Sequence, residues 1–436
     1  MILNGILGAL AAASFLSTLW QWLAARGFPL HRRGSPPQSA PAVSILKPLK
    51  DADGFAESCL RSWLAQEYPG EIQILFGVGS ADDPACAIVK KLLVEFPQRD
   101  AQLVVCAERL GANAKVSKLA QLEPLAKHEI LIVSDADVRV PPDLVGNLVP
   151  ALSRKSVTVL PHPDPLPLGE GDPLAAPAHD DNGAHGGPRP TSEAVGLVNC
   201  FYRFANPTTA AMQWEAVAVN ADFWSQVLQG ASFRKLDFAL GAAMATRRRQ
   251  LAEIGGFRAL VDCLADDYQL GNRIAQHGYQ IEICPVVVEC WSAPMGWREV
   301  WRHQLRWART IRVCQPLPYF FSIVSNATLW PWLWVLTALP SATFQSDEGL
   351  SGGWRMGIPL SVAFVCAVMF GLARLLAAAD LQRRLTPSHS PLSNFWFVPV
   401  KDLLQAALWL GAFAGNCIEW RGERHRLRRD GTLVKG

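Results

Sequence analysis

The sequence contains no closely spaced cysteine pair. Its ten cysteines stand singly, at Cys59, Cys86, Cys106, Cys200, Cys263, Cys284, Cys290, Cys314, Cys366 and Cys417. This excludes a CxxC redox or zinc motif, and no run of histidines accompanies them to build a zinc site, so they read as reduced, mostly buried thiols. Charge is also scarce: 18% of the 436 residues are charged and 50% are hydrophobic, which argues against a soluble single domain. A net charge of +3 is too small to suggest a nucleic-acid partner, and the basic residues are local, in Arg26 to Arg33 and Arg421 to Arg429, as suits a membrane surface. A signal peptide's basic leading region and small-residue cleavage site are missing around the first apolar run. That run, Ile2 to Ala25, carries no charge and is long enough to cross a bilayer. With Arg26, His31, Arg32 and Arg33 behind it, we expect an N-terminal anchor over 1–25 whose following chain is cytoplasmic.

From Ala42 to about Pro150, short β-rich runs such as VSILKPL, IQILFGVG and EILIVSDADV alternate with helical stretches such as SCLRSWLAQ and ACAIVKKLLVEF. This spacing predicts an α/β fold with parallel strands and crossover helices, in which ligands gather beyond the carboxyl ends of the strands. Residues 161–191, crowded with Pro, Gly, Asp and His, have no hydrophobic period and predict a disordered insertion. The sheet pattern resumes at VGLVNCFYRF and continues to about residue 317, giving a catalytic region over 42–317. Its last part, 296–313, is a Trp- and Arg-rich amphipathic helix that suits an interface. The chain over 318–417 turns apolar. Residues 318–344 and 356–379 predict a transmembrane pair joined by the loop of Asp347 and Glu348. The third stretch, 394–417, contains Lys401 and Asp402, which are costly in lipid unless they face protein or water. A third crossing would put the basic tail, 418–436, on the opposite side from the catalytic region, so this stretch is expected to re-enter or to lie in the interface. A third crossing with Lys401 and Asp402 buried as a pair is the rival.

Acidic pairs follow the strands. Asp135 and Asp137 come directly after EILIVS; two residues apart in an extended chain they would face one magnesium or manganese ion, since hard cations take oxygen ligands. A turn before Pro141 and Pro142 is the alternative. Asp82 and Asp83 follow IQILFGVG, where one can cap the next helix while the other contacts a nucleotide. Asp266 and Asp267 open the helix DDYQLGNRIAQ, where a partly desolvated carboxylate can accept the proton of an attacking hydroxyl. Arg306 and Trp307, in WREVWRHQLRWARTIR, can clamp a diphosphate through the planar guanidinium.

Taken in order, ILKPLKDADG, ADDP, DAD and ADDY followed by RW resemble the ceramide glucosyltransferases and the similar hopanoid-biosynthesis-associated glycosyltransferases of bacteria. NAKVSKL around Lys115 and the terminal WRGERHRLRR extend the likeness over most of the chain. The resemblance implies a GT-A fold, an inverting transfer and a UDP-sugar donor with Mg2+ or Mn2+. It implies donor contacts from Asp82, Asp83, Lys115, Asp135, His303, Arg306 and Trp307, metal ligation by Asp137 with Asp135, and Asp267, with Asp266, as the general base. His303 stands where the family has Gln or Arg, and Asp266 where Glu is common. The expected reaction places N-acetylglucosamine on a hopanoid polyol such as bacteriohopanetetrol at the inner membrane, with the catalytic region cytoplasmic; glucosylation of ceramide is the alternative. A processive polysaccharide synthase would need more crossings, and a non-enzymatic scaffold would not need acidic pairs at strand ends.

Overall fold

In the computed structural model, residues 2–34, 40–153, 194–339, 343–345, 353–355, 358–386, 396–420, 423–428 and 430–435 are described. The Pro- and Gly-rich insertion and the loop of Asp347 and Glu348 lie outside them.

Eight strands form one sheet: β1 (Val43–Pro48), β2 (Ile72–Val78), β3 (Asp100–Val105), β4 (Ile130–Ser134), β5 (Val138–Arg139), β6 (Val195–Phe204), β7 (Ala243–Arg247) and β8 (Gln280–Cys290). Their spatial order is β3-β2-β1-β4-β7-β6-β8-β5. The first four are parallel, as the alternation of strand and helix predicts. Beyond β4 the sheet is mixed, because β7 runs antiparallel between β4 and β6.

The helices are α1 (Ile2–Gly27), α2 (Ala56–Leu64), α3 (Ala85–Glu95), α4 (Ala114–Leu122), α5 (Leu144–Leu152), α6 (Ala210–Val217), α7 (Trp224–Phe233), α8 (Arg248–Glu253), α9 (Asp266–Gln276), α10 (Trp297–Cys314), α11 (Pro316–Phe321), α12 (Leu329–Ala338), α13 (Ile358–Leu385) and α14 (Phe397–Ala412). Leu60, Trp63, Val89, Leu92 and Leu148 of α2, α3 and α5 pack on one face of the sheet. Val116, Leu119, Leu270 and Ile274 of α4 and α9 pack on the other. Covered on both faces, β1, β2 and β4 are buried along their whole length, which is why they read as continuous rather than alternating hydrophobic runs.

Among the described residues, two helices are long and apolar enough to cross a membrane, α1 and residues 360–385 of α13. They run parallel: Phe15 stacks on Phe370 at 4.4 Å, Trp22 donates to Asp380 at 2.9 Å, and Arg384 donates to the Arg26 carbonyl at 3.2 Å. Their basic ends therefore lie together, beside the catalytic region, where the His31 amide donates to the Pro285 carbonyl at 2.8 Å. α1 is more than a tether. Ser14, Thr18 and Gln21 recur at helical spacing and are buried, and Gln21 donates to Gln229 of α7 at 3.1 Å.

The expected single helix over 318–344 is instead broken. α11 is followed by a 3-10 turn, Ser322–Ser325, before α12 begins. The Asn326 side chain accepts from the Leu329 amide at 2.9 Å and donates to the Asp402 carbonyl at 2.7 Å, so this asparagine both starts α12 and ties it to α14. The 16 residues of α14 span about 24 Å at the helical rise. After β9 (Thr343–Gln345) and β10 (Gly353–Arg355), the tail provides β11 (Cys417–Trp420), β12 (Glu423–Leu427) and β13 (Leu433–Lys435), an antiparallel sheet where a basic tail was expected. Leu433 donates to the Asp262 carbonyl at 2.7 Å, and Ile418, Leu427 and Leu433 cluster with Leu264. Those apolar contacts explain why so charged a segment folds back on the domain.

Candidate active site

The carboxyl ends of β1, β2, β4, β6 and β8 and the start of antiparallel β7 meet at one edge of the sheet. This is where strand-end motifs converge. Lys115, in the first turn of α4, is the hub: its ammonium lies 2.7 Å from Asp135 Oδ1 and 2.8 Å from Asp266 Oδ2. Asn113 caps α4 by accepting from the Lys115 and Val116 amides at 3.0 and 3.2 Å, and its amide group donates to the Cys263 carbonyl at 2.8 Å. One asparagine thus registers the lysine against the loop that leads to Asp266. Burial alone would lower the Lys115 pKa, but Asp135, Asp266 and Asp267 outweigh it and hold the ammonium charged, with its pKa above the ordinary lysine value.

Asp266 is committed to Lys115. Its neighbour Asp267 is different: burial first, then the charge of Asp266, push its pKa up to about 6. Its Oδ1 accepts from the Tyr268 amide at 2.8 Å. Its other side lies against Gly241, where an added Cβ would come within 2.7 Å of Asp267 Oδ2.

The DAD segment does not follow the extended geometry expected of it. β4 stops at Ser134, and residues 135–137 form a turn in which the Val138 amide donates to the Asp135 carbonyl at 3.4 Å. The turn is pinned from below by Lys47, fully buried in β1, whose ammonium donates to Ser134 Oγ at 3.2 Å and to the Asp135 carbonyl and lies 5.0 Å above the Trp63 ring. Burial draws the Lys47 pKa down to about 8 against the pull of Cys59, Asp135 and Asp137. Asp137 is exposed at the surface of the turn. The protein packed around the turn and the charge of Asp135 nevertheless raise its pKa to about 6. No group of three or more His, Cys, Asp or Glu side chains that could hold a metal occurs among the described residues.

Asp83 and Asp82 differ in their surroundings. Asp83 accepts from the Ala85 amide at 3.0 Å at the start of α3 and from the Asp51 amide at 3.3 Å. Asp51 has a left-handed φ of 57°, which aspartate tolerates, and this fastens the KDADG loop to the ADDP loop. Asp82 is exposed, with its carboxylate toward solvent. On α10, Arg306 is half-buried, and Trp307 packs its ring against Phe204 at 6.2 Å and His303 at 4.6 Å. His303 Nδ1 lies 2.6 Å from Glu215, a carboxylate with only 1% of its side chain exposed, and Gln304 donates to the same oxygen at 2.8 Å. Glu215 and Lys47 were not identified from the sequence. A lysine in the otherwise apolar VSILKP was the one available signal.

Behind α10 lies a cavity of about 840 Å3. Gln21 of α1, Phe223, Phe233, Trp307, Phe321 and Trp409 contribute to its walls. Asp222, Arg374, Lys401 and Asp402 close one end as a buried group of four charges. Arg374 bonds Asp222 at 2.8 Å and Asp402 at 2.9 Å, and Lys401 pairs with both carboxylates.

A mixed α/β sheet with carboxylates at its strand ends, bracketed by apolar helices, defines a nucleotide-sugar transferase of the GT-A type with membrane-anchor candidates at both ends. The chain belongs to glycosyl transferase family 21, whose model matches residues 6–164 and 189–433. Among curated proteins it is similar to a ceramide glucosyltransferase of Candida albicans, 34% identical over 26% of this chain and 22% of that one. Ceramide glucosyltransferase 3 of Caenorhabditis elegans is 30% identical over 25% of this chain and 24% of that one. The match thus spans about a quarter of these relatives' length. Among solved structures, the mannosyltransferase PcManGT of Pyrobaculum calidifontis, in complex with GDP-Man and Mn2+, aligns with 94% of this chain and 98% of its own at 19% identity and a TM-score of 0.49. Glucosyl-3-phosphoglycerate synthase of Mycobacterium tuberculosis, in complex with Mn2+ and UDP-Glc, aligns with 65% and 85% at 14% identity and a TM-score of 0.36.

Proposed function

We propose that the protein transfers a hexose, with inversion, from a UDP-sugar to the hydroxyl of a membrane amphiphile. The observation that carries this reading is Asp267, a carboxylate raised to about 6 between the strand-end acids and α10, with a large cavity lined by the Trp307 face of that helix. Asp267 takes the proton of the acceptor hydroxyl while the hydroxyl oxygen bonds to the anomeric carbon and the bond to the UDP oxygen breaks. In this reading Asp82 contacts the nucleoside, and Arg306 and Trp307 contact the diphosphate. His303 joins them only through its ring face and Nε2, since Nδ1 is held by Glu215. Lys115 and Asp266 fix the loop that carries the base.

Asp137, with Asp135 beside it, fits a cation shared with the donor's phosphates, because magnesium is commonly held by one or two carboxylates plus phosphate oxygens. Such an ion, when bound, supplies positive charge to the departing diphosphate. The curated relatives favour glucose and ceramide as donor sugar and acceptor, and the family resemblance equally admits N-acetylglucosamine and bacteriohopanetetrol. We place α1, the broken α11–α12 segment and α13 across the inner membrane, with the basic ends of α1 and α13 and the catalytic region in the cytoplasm. α14, shorter than the roughly 20 residues a crossing needs, re-enters or lies in the interface.

The test is transfer by the purified protein in detergent from UDP-glucose and UDP-N-acetylglucosamine to ceramide and to bacteriohopanetetrol, with and without manganese or magnesium. Product on one lipid identifies the acceptor, whereas no transfer to either would leave the fold and the family without this function.

A further inference from the structure

Tyr202 has no part in the chemistry above, yet it stands in the middle of the site. Strands β6 and β8 slip register between Cys200 and Tyr202. Such bulges cluster beside active sites, where they re-aim a side chain. The ring of Tyr202 is half-buried and continues a row of aromatic rings: Phe223 at 5.7 Å on one side, Phe204 at 6.3 Å on the other, and Trp307 at 6.2 Å beyond Phe204. Phe223 and Trp307, the two ends of the row, both wall the large cavity, so the row lies along that cavity, and Tyr202 within it feels the charges of Asp267, Glu215 and Asp135. The phenol makes no hydrogen bond among the described residues, although burial and the negative charges of Asp267, Glu215 and Asp135 keep it protonated, far above the ordinary tyrosine range.

We propose that the Tyr202 hydroxyl is a binding contact for the acceptor alcohol, donating a hydrogen bond to the amphiphile's head as it passes along the aromatic row toward Asp267. A tyrosine serves such a position well, because its ring offers apolar surface to the lipid and its hydroxyl is the polar handle where the head group arrives. The loops that hold the nucleoside follow β1 and β2, whereas Tyr202 sits between Phe204 and the cavity-lining Phe223, so the contact is assigned to the acceptor, and the donor KM tests that assignment. This inference rests on the lipid-transferase reading.

The test is Tyr202→Phe, which keeps the ring and removes only the donor, compared with the wild type for transfer to lipid, hydrolysis of the UDP-sugar and thermal unfolding. The expected result is an acceptor KM raised about tenfold, the scale of one lost neutral hydrogen bond, with the donor KM, hydrolysis and melting temperature unchanged. Tyr202→Leu, which also interrupts the aromatic row, should raise the acceptor KM further while hydrolysis persists. An unchanged acceptor KM in Tyr202→Phe, or a donor KM that rises in its place, would overturn the assignment. A wild type that hydrolyses UDP-sugar but glycosylates neither ceramide nor bacteriohopanetetrol would overturn the lipid reading and this contact with it.

Discussion

At the scale of single residues, the site rests on two lysines and two carboxylates of raised pKa. Asp267 works as a base only when ionised, and its pKa of about 6 places it on the ionised side at neutral pH. Lowering the pH through 6 therefore protonates it, and kcat should fall about tenfold per pH unit on the acid side. Asp267→Asn should lower kcat by roughly 10²- to 10⁴-fold at pH 7 while UDP binding, followed by calorimetry, stays near the wild-type value. Retention of most of the rate by this variant would remove Asp267 from the chemistry. Asp137 is raised to the same range, so in the proposed mechanism the acid limb of the donor KM should follow Asp137 and that of kcat should follow Asp267. Lys115 affects both acids. Lys115→Met leaves Asp266 buried without its cation and Asp135 without its partner, and should destabilise the protein by about 3 kcal/mol, the lower end for breaking a buried pair, because Asp135 is partly solvated. Urea unfolding in detergent measures it; a loss below about 1 kcal/mol would mean that water already reaches the pair.

The elements determine how much of this was legible in the sequence. Three of the four parallel strands, β1, β2 and β4, could be read because burial on both faces leaves continuous apolar runs, and the strand-end acids could be read because such sheets place polar groups there. Tertiary contacts that carry no periodic signal could not. The turn at Asp135 to Asp137 depends on Lys47 from another strand, and the broken α11 to α12 segment depends on Asn326 reaching Asp402. The tail sheet depends on three apolar residues, Ile418, Leu427 and Leu433, within a charged stretch. This sheet braces both elements that carry site residues. Gly431 and Thr432 hold the loop before α9 through Leu264 and Cys263, while Asn416 and the Cys417 carbonyl take Arg312 and Arg309 of α10. At the Gly241 loop the tolerance is narrower still. Gly241→Ala would drive a methyl group into Asp267, and a displacement of that base approaching 1 Å should cost up to about 10²-fold in kcat with donor binding intact. An unchanged kcat would show that Asp267 can move aside without loss.

At the scale of the whole molecule, what joins the catalytic domain to its apolar helices is the group formed by Asp222, Arg374, Lys401 and Asp402. Asp222 comes from the π-helical segment between α6 and α7 in the catalytic domain, Arg374 from α13, and Lys401 and Asp402 from α14. Two positive and two negative charges make the group neutral, and Thr328 adds a bond to Asp402 at 2.7 Å. A buried charge is tolerable only with its partner, so removing one member should be worse than removing two of opposite sign. Lys401→Met alone leaves two carboxylates sharing Arg374 and should destabilise by about 3 to 5 kcal/mol. Lys401→Met with Asp402→Leu leaves the intact Arg374–Asp222 pair and should be clearly milder than Lys401→Met alone. A double-mutant cycle on thermal unfolding in detergent gives the coupling directly. Additive losses would mean that α14 is held by its apolar contacts with α6 and α10. A large favourable coupling would establish the four charges as the joint that sets the cavity, and with it the lipid's path, against the carboxylates of the sheet.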